Sequence, residues 1–151
     1  MSKQVWHYTV GEGLIRILSD GFIRPATAHI HPSERPITWA STEQFWEPSV
    51  SKGVMQGDGT IMDLGMNALI ARGITLARIG SDPDAVPHIW AELKALSQMP
   101  TAIAQRSAAV AKQKGGNPSR WRGSFGPIPV EKWTSVENFN PSTGQWESLC
   151  T

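Results

Sequence analysis

The sequence has little that would place the protein outside the cell or in a membrane. Its 151 residues include one cysteine, Cys150, so no internal disulfide and no thiolate metal cluster can form. No apolar run approaches the roughly 20 residues that cross a bilayer. We therefore expect a cytoplasmic protein without a membrane partner.

Strong net charge and the common catalytic motifs are also missing. The formal net charge is +1, which argues against a general polyanion binder. The sequence has no phosphate-binding Gly-rich loop with lysine, no Gly-x-Ser-x-Gly elbow and no His-Glu-x-x-His pair. Function must therefore be inferred from less common patterns.

Strand-like and helical apolar patterns are mixed along the chain without a regular βαβ repeat. The patterns predict strands over 5–10, 37–41 and 74–79, a final β pair over 133–139 and 145–149, and helices over 14–18, 61–72, 89–96 and 102–114. Ser41 and Gln44 have capping-box spacing, which predicts a short helical turn, and the glycine-rich stretch 49–60 predicts a loop. We expect one α+β domain over residues 1–151.

The most informative pattern lies at the beginning of the chain. Residues 5–10 alternate as in a strand, so His7 and Thr9 share one face while Tyr8 lies on the other. A helical apolar stripe follows and ends at Gly21, where a left-handed C-cap belongs. This His-x-Thr strand with its helix and glycine resembles the opening of the ADP-ribosyltransferase superfamily, particularly its small DNA- and RNA-modifying branches. A single histidine on such a strand is also commonly a hydrogen-bonded core or edge residue.

The second strand extends the resemblance. Residues 37–42 and the following Phe45-Trp46-Glu47 resemble that family's second motif, an aromatic–small–serine strand that enters a helix. The resemblance implies a split antiparallel sheet whose cleft binds nicotinamide adenine dinucleotide (NAD) as substrate and breaks the nicotinamide–ribose bond.

The resemblance also implies roles for individual residues. His7 would hydrogen-bond a ribose, Ser41 would stabilise its strand, and both would open into one cleft. The expected cofactor-binding residues are Tyr8, Thr9, Trp39 and Arg78, with Tyr8 or Trp39 packed against the base.

The family's third element is a glutamate near the C-terminal strands. Glu131 is the expected catalytic carboxylate, with Glu137 and Glu92 as alternatives. The carboxylate would face the positive charge of an oxocarbenium-like transition state.

A basic segment supplies the expected acceptor-binding residues. The stretch from Arg106 to Arg122 contains cations and no acidic residue. Within it, Arg120 and Arg122 could contact phosphates while Trp121 between them offers a stacking surface. The other interpretation is a solvated helix end followed by a loop.

A histidine pair raises the question of a metal. His29 and His31 could reach one ion on an extended segment, with His7 or His88 completing the set. Spaced acidic or thiol partners are missing, so we assign no metal.

The favoured function is NAD-dependent ADP-ribosyl transfer to a macromolecular acceptor, nucleic acid being one candidate. The alternative is a non-catalytic nucleotide- or nucleic-acid-binding module on the same fold. Two further candidates are NAD-dependent removal of an RNA 2′-phosphate, for which few arginines surround the first motifs, and a small metal-dependent protein. A carboxylate within reach of the cleft lined by His7 and Ser41 would favour the enzyme.

Overall fold

The computed structural model describes residues 4–28 and 30–149. The α-helices in these ranges are α1 Gly11–Asp20, α2 Met66–Ala71, α3 Trp90–Leu96 and α4 Thr101–Gln113. The strands there are β1 Val5–Val10, β2 Phe22–Ile23, β3 Thr38–Ser41, β4 Lys52–Met55, β5 Ile61–Leu64, β6 Leu76–Ser81, β7 His88–Ile89, β8 Trp121–Ser124, β9 Ile128–Pro129, β10 Trp133–Asn140 and β11 Gln145–Ser148. The fold is α+β, as predicted. Over the described ranges, no helix combines the length and apolar character that a membrane crossing requires.

A seven-stranded sheet organises the fold. Its strand order is β11-β10-β6-β1-β3-β8-β7, and neighbouring strands run antiparallel. Two small antiparallel sheets, β2–β9 and β4–β5, lie outside it. The order places β1 between β6 and β3, near the middle of the large sheet.

The pairing between β1 and β3 is much shorter than that between β1 and β6. β1 pairs with β6 over its whole length, from Val5 opposite Ser81 to Val10 opposite Leu76. Its register with β3 holds one pair, Trp6 opposite Ser41. The register gives no further pair, and residues of both strands line the cavity in which the candidate site lies.

The alternation predicted for β1 is confirmed by the packing on its two faces. Val5 joins the apolar cluster that α1 covers with Leu14 and Ile17. Trp6 and Tyr8 join a second cluster, on the side of α2. Helix α1 ends as predicted at Gly21, whose positive φ of 79° fits the left-handed C-cap that glycine adopts without steric cost.

The stretch from 49 to 72 differs from its prediction. Residues 52–64 form the hairpin β4–β5 in place of a loop, and α2 covers only the second half of the expected helix. Gly65 is extended and separates the strand from the helix. Ile61 and Met62 are exposed on the hairpin, so these apolar residues do not belong to a buried helix face.

The turn expected after Ser41 is also wrong. Residues 42–47 hold no helix, because the Ser41 hydroxyl accepts a bond from the Glu43 N–H and donates to the Glu47 side chain. The final β pair is confirmed as β10–β11, and Gly144 takes a positive φ of 71° in its turn.

Candidate functional site

A cavity of about 550 Å³ lies beside β1 and β3. Residues of both strands line it, together with the segment 47–50, residues around α3 and one face of α4. Its volume falls within the range of small-molecule sites, and such sites combine apolar walls with a few polar groups. The polar groups at this cavity come from β1, from the segment after β3 and from α4.

The His7 imidazole contacts the neighbouring strand β3. Its Nδ1 lies 2.8 Å from the backbone oxygen of Trp39. A carbonyl can only accept, so we assign the proton to Nδ1, which leaves Nε2 as a hydrogen-bond acceptor. Burial lowers the pKa of His7 below its ordinary value, and the bond to Trp39 opposes this in part. At neutral pH His7 is therefore an uncharged acceptor on the cavity wall.

Glu47 places a buried carboxylate on the same cavity. Its side chain is buried, the residue being 3% exposed, and it accepts three hydrogen bonds. The donors are the Ser41 hydroxyl at 2.8 Å, the Ser49 N–H at 2.8 Å and the Ser49 hydroxyl at 2.5 Å. Each is a charge-assisted bond to an ionised carboxylate, which offsets the cost of burying the charge.

Sequence reasoning missed Glu47 as a functional residue. In the sequence Glu47 stands out only as the end of the Phe45-Trp46-Glu47 motif. The signal in the sequence was limited to the position of Glu47 directly after two aromatic residues, Phe45 and Trp46. A charge placed there is buried only if it has partners.

Long-range bonds hold the irregular segment 42–47 that carries this carboxylate. The Tyr8 hydroxyl, the Arg78 guanidinium and the Trp146 indole donate to the three successive backbone oxygens of residues 43–45. Burial raises the pKa of Tyr8 to about 12, against smaller opposing effects of Arg78, so the phenol remains a neutral donor. Strands β1, β6 and β11 thus fix the path of the chain to the site.

Aromatic rings form another wall of the cavity. Trp39, Trp90 and Trp121 contact one another, with ring centroids 4.9 to 6.1 Å apart. Trp39 and Trp90 are half-buried, whereas Trp121 is buried. The two half-buried indoles leave part of their surface to the cavity, where a flat ring could pack.

One face of α4 closes the cavity opposite the strands. The lining residues Ile103, Ser107 and Ala111 are four apart, as expected for a single helix face. Lys114 follows the helix and binds the hairpin, with its Nζ 2.7 Å from Asp63 Oδ2 and 2.8 Å from Ser51 Oγ. The hydrogen bond from Lys114 is the main cause that lowers the pKa of Asp63.

The structure brings five of the predicted site residues to this one cavity, namely His7, Tyr8, Trp39, Ser41 and Trp121. The register pairs Ser41 with Trp6, so these two side chains share a face of the sheet. Because side chains alternate along a strand, His7 lies on the opposite face from Ser41. Both residues still line one cavity.

Two expected cofactor-binding residues, Thr9 and Arg78, do not line this cavity. The Thr9 hydroxyl packs against the first turn of α1, where a methyl group added at Gly13 would overlap it. Arg78 is buried in an ion pair with Glu137, at 2.7 Å, and its guanidinium stacks on the Trp6 and Trp146 rings. Both side chains are engaged in holding the fold.

The expected catalytic glutamate and the acceptor arginines do not line this cavity either. Glu131 is exposed in the short 3-10 turn Val130–Lys132 and does not line the cavity. Arg120 pairs with Glu43 at 3.1 Å, and Arg122 donates to the Trp121 backbone oxygen at 2.7 Å. Neither arginine borders the cavity.

The histidine pair can be described only in part. His29, like Cys150, lies outside the described residues. His31 contacts Ser33 at 2.7 Å, and His88 lies 3.8 Å from Glu92. Within residues 4–28 and 30–149, no group of three or more His, Cys, Asp or Glu side chains could hold a metal ion.

No protein-family model matches the chain, and neither a curated protein nor a solved structure matches it. Function is therefore inferred from the geometry of the cavity.

Proposed function

We propose that the chain binds NAD in this cavity and transfers ADP-ribose to a nucleophilic group of a macromolecule. One observation carries the proposal: the buried carboxylate of Glu47 lies on the same cavity as His7 and Ser41. Glu47 replaces Glu131 in the role that the resemblance assigned to a C-terminal glutamate.

The chemistry needs a negative group beside the reacting ribose. The bond between ribose C1′ and the nicotinamide nitrogen breaks, and nicotinamide leaves with the electron pair. Positive charge then develops on the ribose, and a preorganised carboxylate lowers the energy of this oxocarbenium-like state. The acceptor's lone pair forms the new bond to C1′, and the acceptor's proton passes to a base or to water. The Ser41 and Ser49 donors keep the Glu47 oxygens in place during these steps.

The other cavity residues supply orientation. The free Nε2 of neutral His7 would accept a hydrogen bond from a ribose hydroxyl. Trp39 and Tyr8 offer ring surface for the nicotinamide. Such positioning groups act by holding the ribose in a reactive geometry.

The acceptor in this proposal is a macromolecule, with nucleic acid as one candidate. Because Arg120 and Arg122 do not border the cavity, a nucleic-acid acceptor would need other contacts near its mouth. The proposed compartment is the cytoplasm, which the low cysteine content favours.

A second candidate is a non-catalytic nucleotide-binding module. It is favoured by the three donors that already engage Glu47, because a carboxylate held in this way could serve structure alone. NAD binding without cleavage would support this candidate.

The test uses NAD labelled in the adenine half and pools of protein, DNA and RNA. We expect nicotinamide release together with transfer of label to one pool. The Glu47→Gln variant should bind NAD and lose this activity. Binding of NAD without nicotinamide release by the wild type would support the non-catalytic module, and absence of NAD binding would refute both candidates.

A further inference from the structure

Arg106 is an unpartnered cation on the wall of the cavity. It lies on α4 and lines the cavity beside Ser107. Within the described residues its guanidinium has neither an ion pair nor a hydrogen bond. Residues 93–130 contain no Asp or Glu, so its own segment offers no carboxylate to neutralise it. The cation is therefore available to a negatively charged ligand group.

The beginning of α4 brings no carboxylate to the part of the cavity near Arg106. Pro100 is the N-cap residue, no side chain caps the helix, and its first turn holds no acidic residue. Met99 and Ile103, on either side of the helix start, both line the cavity.

Glu47 lies toward the other end of α4. A Cβ added at Gly116 would lie 3.3 Å from Glu47 Oε2 and 3.1 Å from the backbone oxygen of Ala111. Arg106 precedes Ala111 by five residues, which is about 8 Å along a helix axis. Lys114 also lies at the Glu47 end, but Asp63 neutralises it at 2.7 Å. The cavity thus has a carboxylate at one end and a free cation toward the other.

We propose that Arg106 binds a phosphate group of a nucleotide in this cavity. Trp90, half-buried on the same cavity, provides the surface on which the attached base stacks. This assignment rests on the proposed function where it identifies the phosphate as part of NAD. It adds the direction in which the dinucleotide lies, with the reacting ribose at Glu47 and the diphosphate and adenosine toward Arg106.

The test compares Arg106→Gln with Lys112→Gln in the full chain. Lys112 is exposed on the same helix and does not line the cavity. Lys112→Gln therefore removes an equal charge at a place away from the site. Binding of ADP-ribose, AMP and adenosine is measured by tryptophan fluorescence and calorimetry. Arg106→Gln should weaken the binding of ADP-ribose and AMP by about ten- to a hundredfold, as expected for loss of a charged hydrogen bond. Adenosine binding and the Lys112→Gln variant should be unchanged.

The outcomes separate this site from the proposed reaction. Phosphate-dependent binding through Arg106 without any NAD cleavage would support the site and reject the enzyme. NAD cleavage whose KM is unaffected by Arg106→Gln would reject the site and leave the enzyme. Equal loss of adenosine and ADP-ribose in a variant that melts like the wild type would also reject it, as would a wild type that binds neither AMP nor ADP-ribose.

Discussion

Replacing Glu47 by glutamine removes a buried charge while keeping its shape. In the wild type one carboxylate oxygen accepts from Ser41 and the other accepts twice from Ser49. A glutamine can present its single oxygen to Ser49, and its amide N–H groups then face the Ser41 hydroxyl, which must rotate to accept. The three charge-assisted bonds become neutral ones, each about half as strong.

The expected loss of stability is moderate, because the cost of burying the charge disappears with the charge. Charged hydrogen bonds contribute about 1.5–3 kcal/mol and neutral ones about 1 kcal/mol. After the regained desolvation energy we expect the free energy of unfolding to fall by about 1–2 kcal/mol. For a chain of this length that corresponds to a Tm lower by roughly 2–8 °C. NAD turnover should fall far more, by about 10²–10³-fold, as for loss of a group that stabilises transition-state charge.

The assay pairs urea unfolding with nicotinamide release under saturating NAD. Glu131→Gln is the matched control, since Glu131 is exposed and outside the cavity, and both its stability and its turnover should equal those of the wild type. A folded Glu47→Gln variant that cleaves NAD at the wild-type rate would refute the catalytic role of this carboxylate.

Three more outcomes are expected. Burial lowers the pKa of His7 below 6.5, so the unfolded chain binds more protons than the folded one. The stability contributed by neutral His7 is therefore complete above pH 6.5 and is lost as the pH falls through the folded-state pKa. Urea unfolding at several pH values should show this dependence in the wild type and not in His7→Gln. Trp121→Ala should lower the free energy of unfolding by about 3–5 kcal/mol, whereas Trp121→Phe should cost less, because the buried indole N–H has no partner within the described residues; equal losses would contradict this. Arg78→Met leaves the Glu137 carboxylate without its ion-pair partner and should lower the free energy of unfolding by about 3–5 kcal/mol. Adding Glu137→Gln should restore part of this loss, which thermal unfolding can measure.

Local patterns predicted the parts of the fold that depend on neighbouring residues. The alternation of β1, the apolar stripe of α1 and the C-cap at Gly21 are all properties of short segments. The hairpin β4–β5 could not be predicted in this way. Its exposed Ile61 and Met62 have the residue types of a buried helix but not the burial.

In the candidate site, too, residues that belong to a local pattern could be predicted and residues placed by long-range contacts could not. His7 and Ser41 were found because each belongs to a strand with a recognisable pattern. Glu47 was not, since its position depends on donors from β1, β6 and β11 that hold the segment before it. Arg78 has the chemistry of a phosphate ligand, and only its ion pair with Glu137 and its contacts with two indoles reveal a structural residue.

We expect NAD to bind and react in the cavity between β1 and β3. A crystal structure of the Glu47→Gln variant with NAD tests it most directly, because this variant should hold the intact dinucleotide. We expect the nicotinamide ribose beside position 47, with a ribose hydroxyl donating to His7 Nε2. NAD bound on another surface, or a cavity free of NAD at saturating concentration, would contradict it.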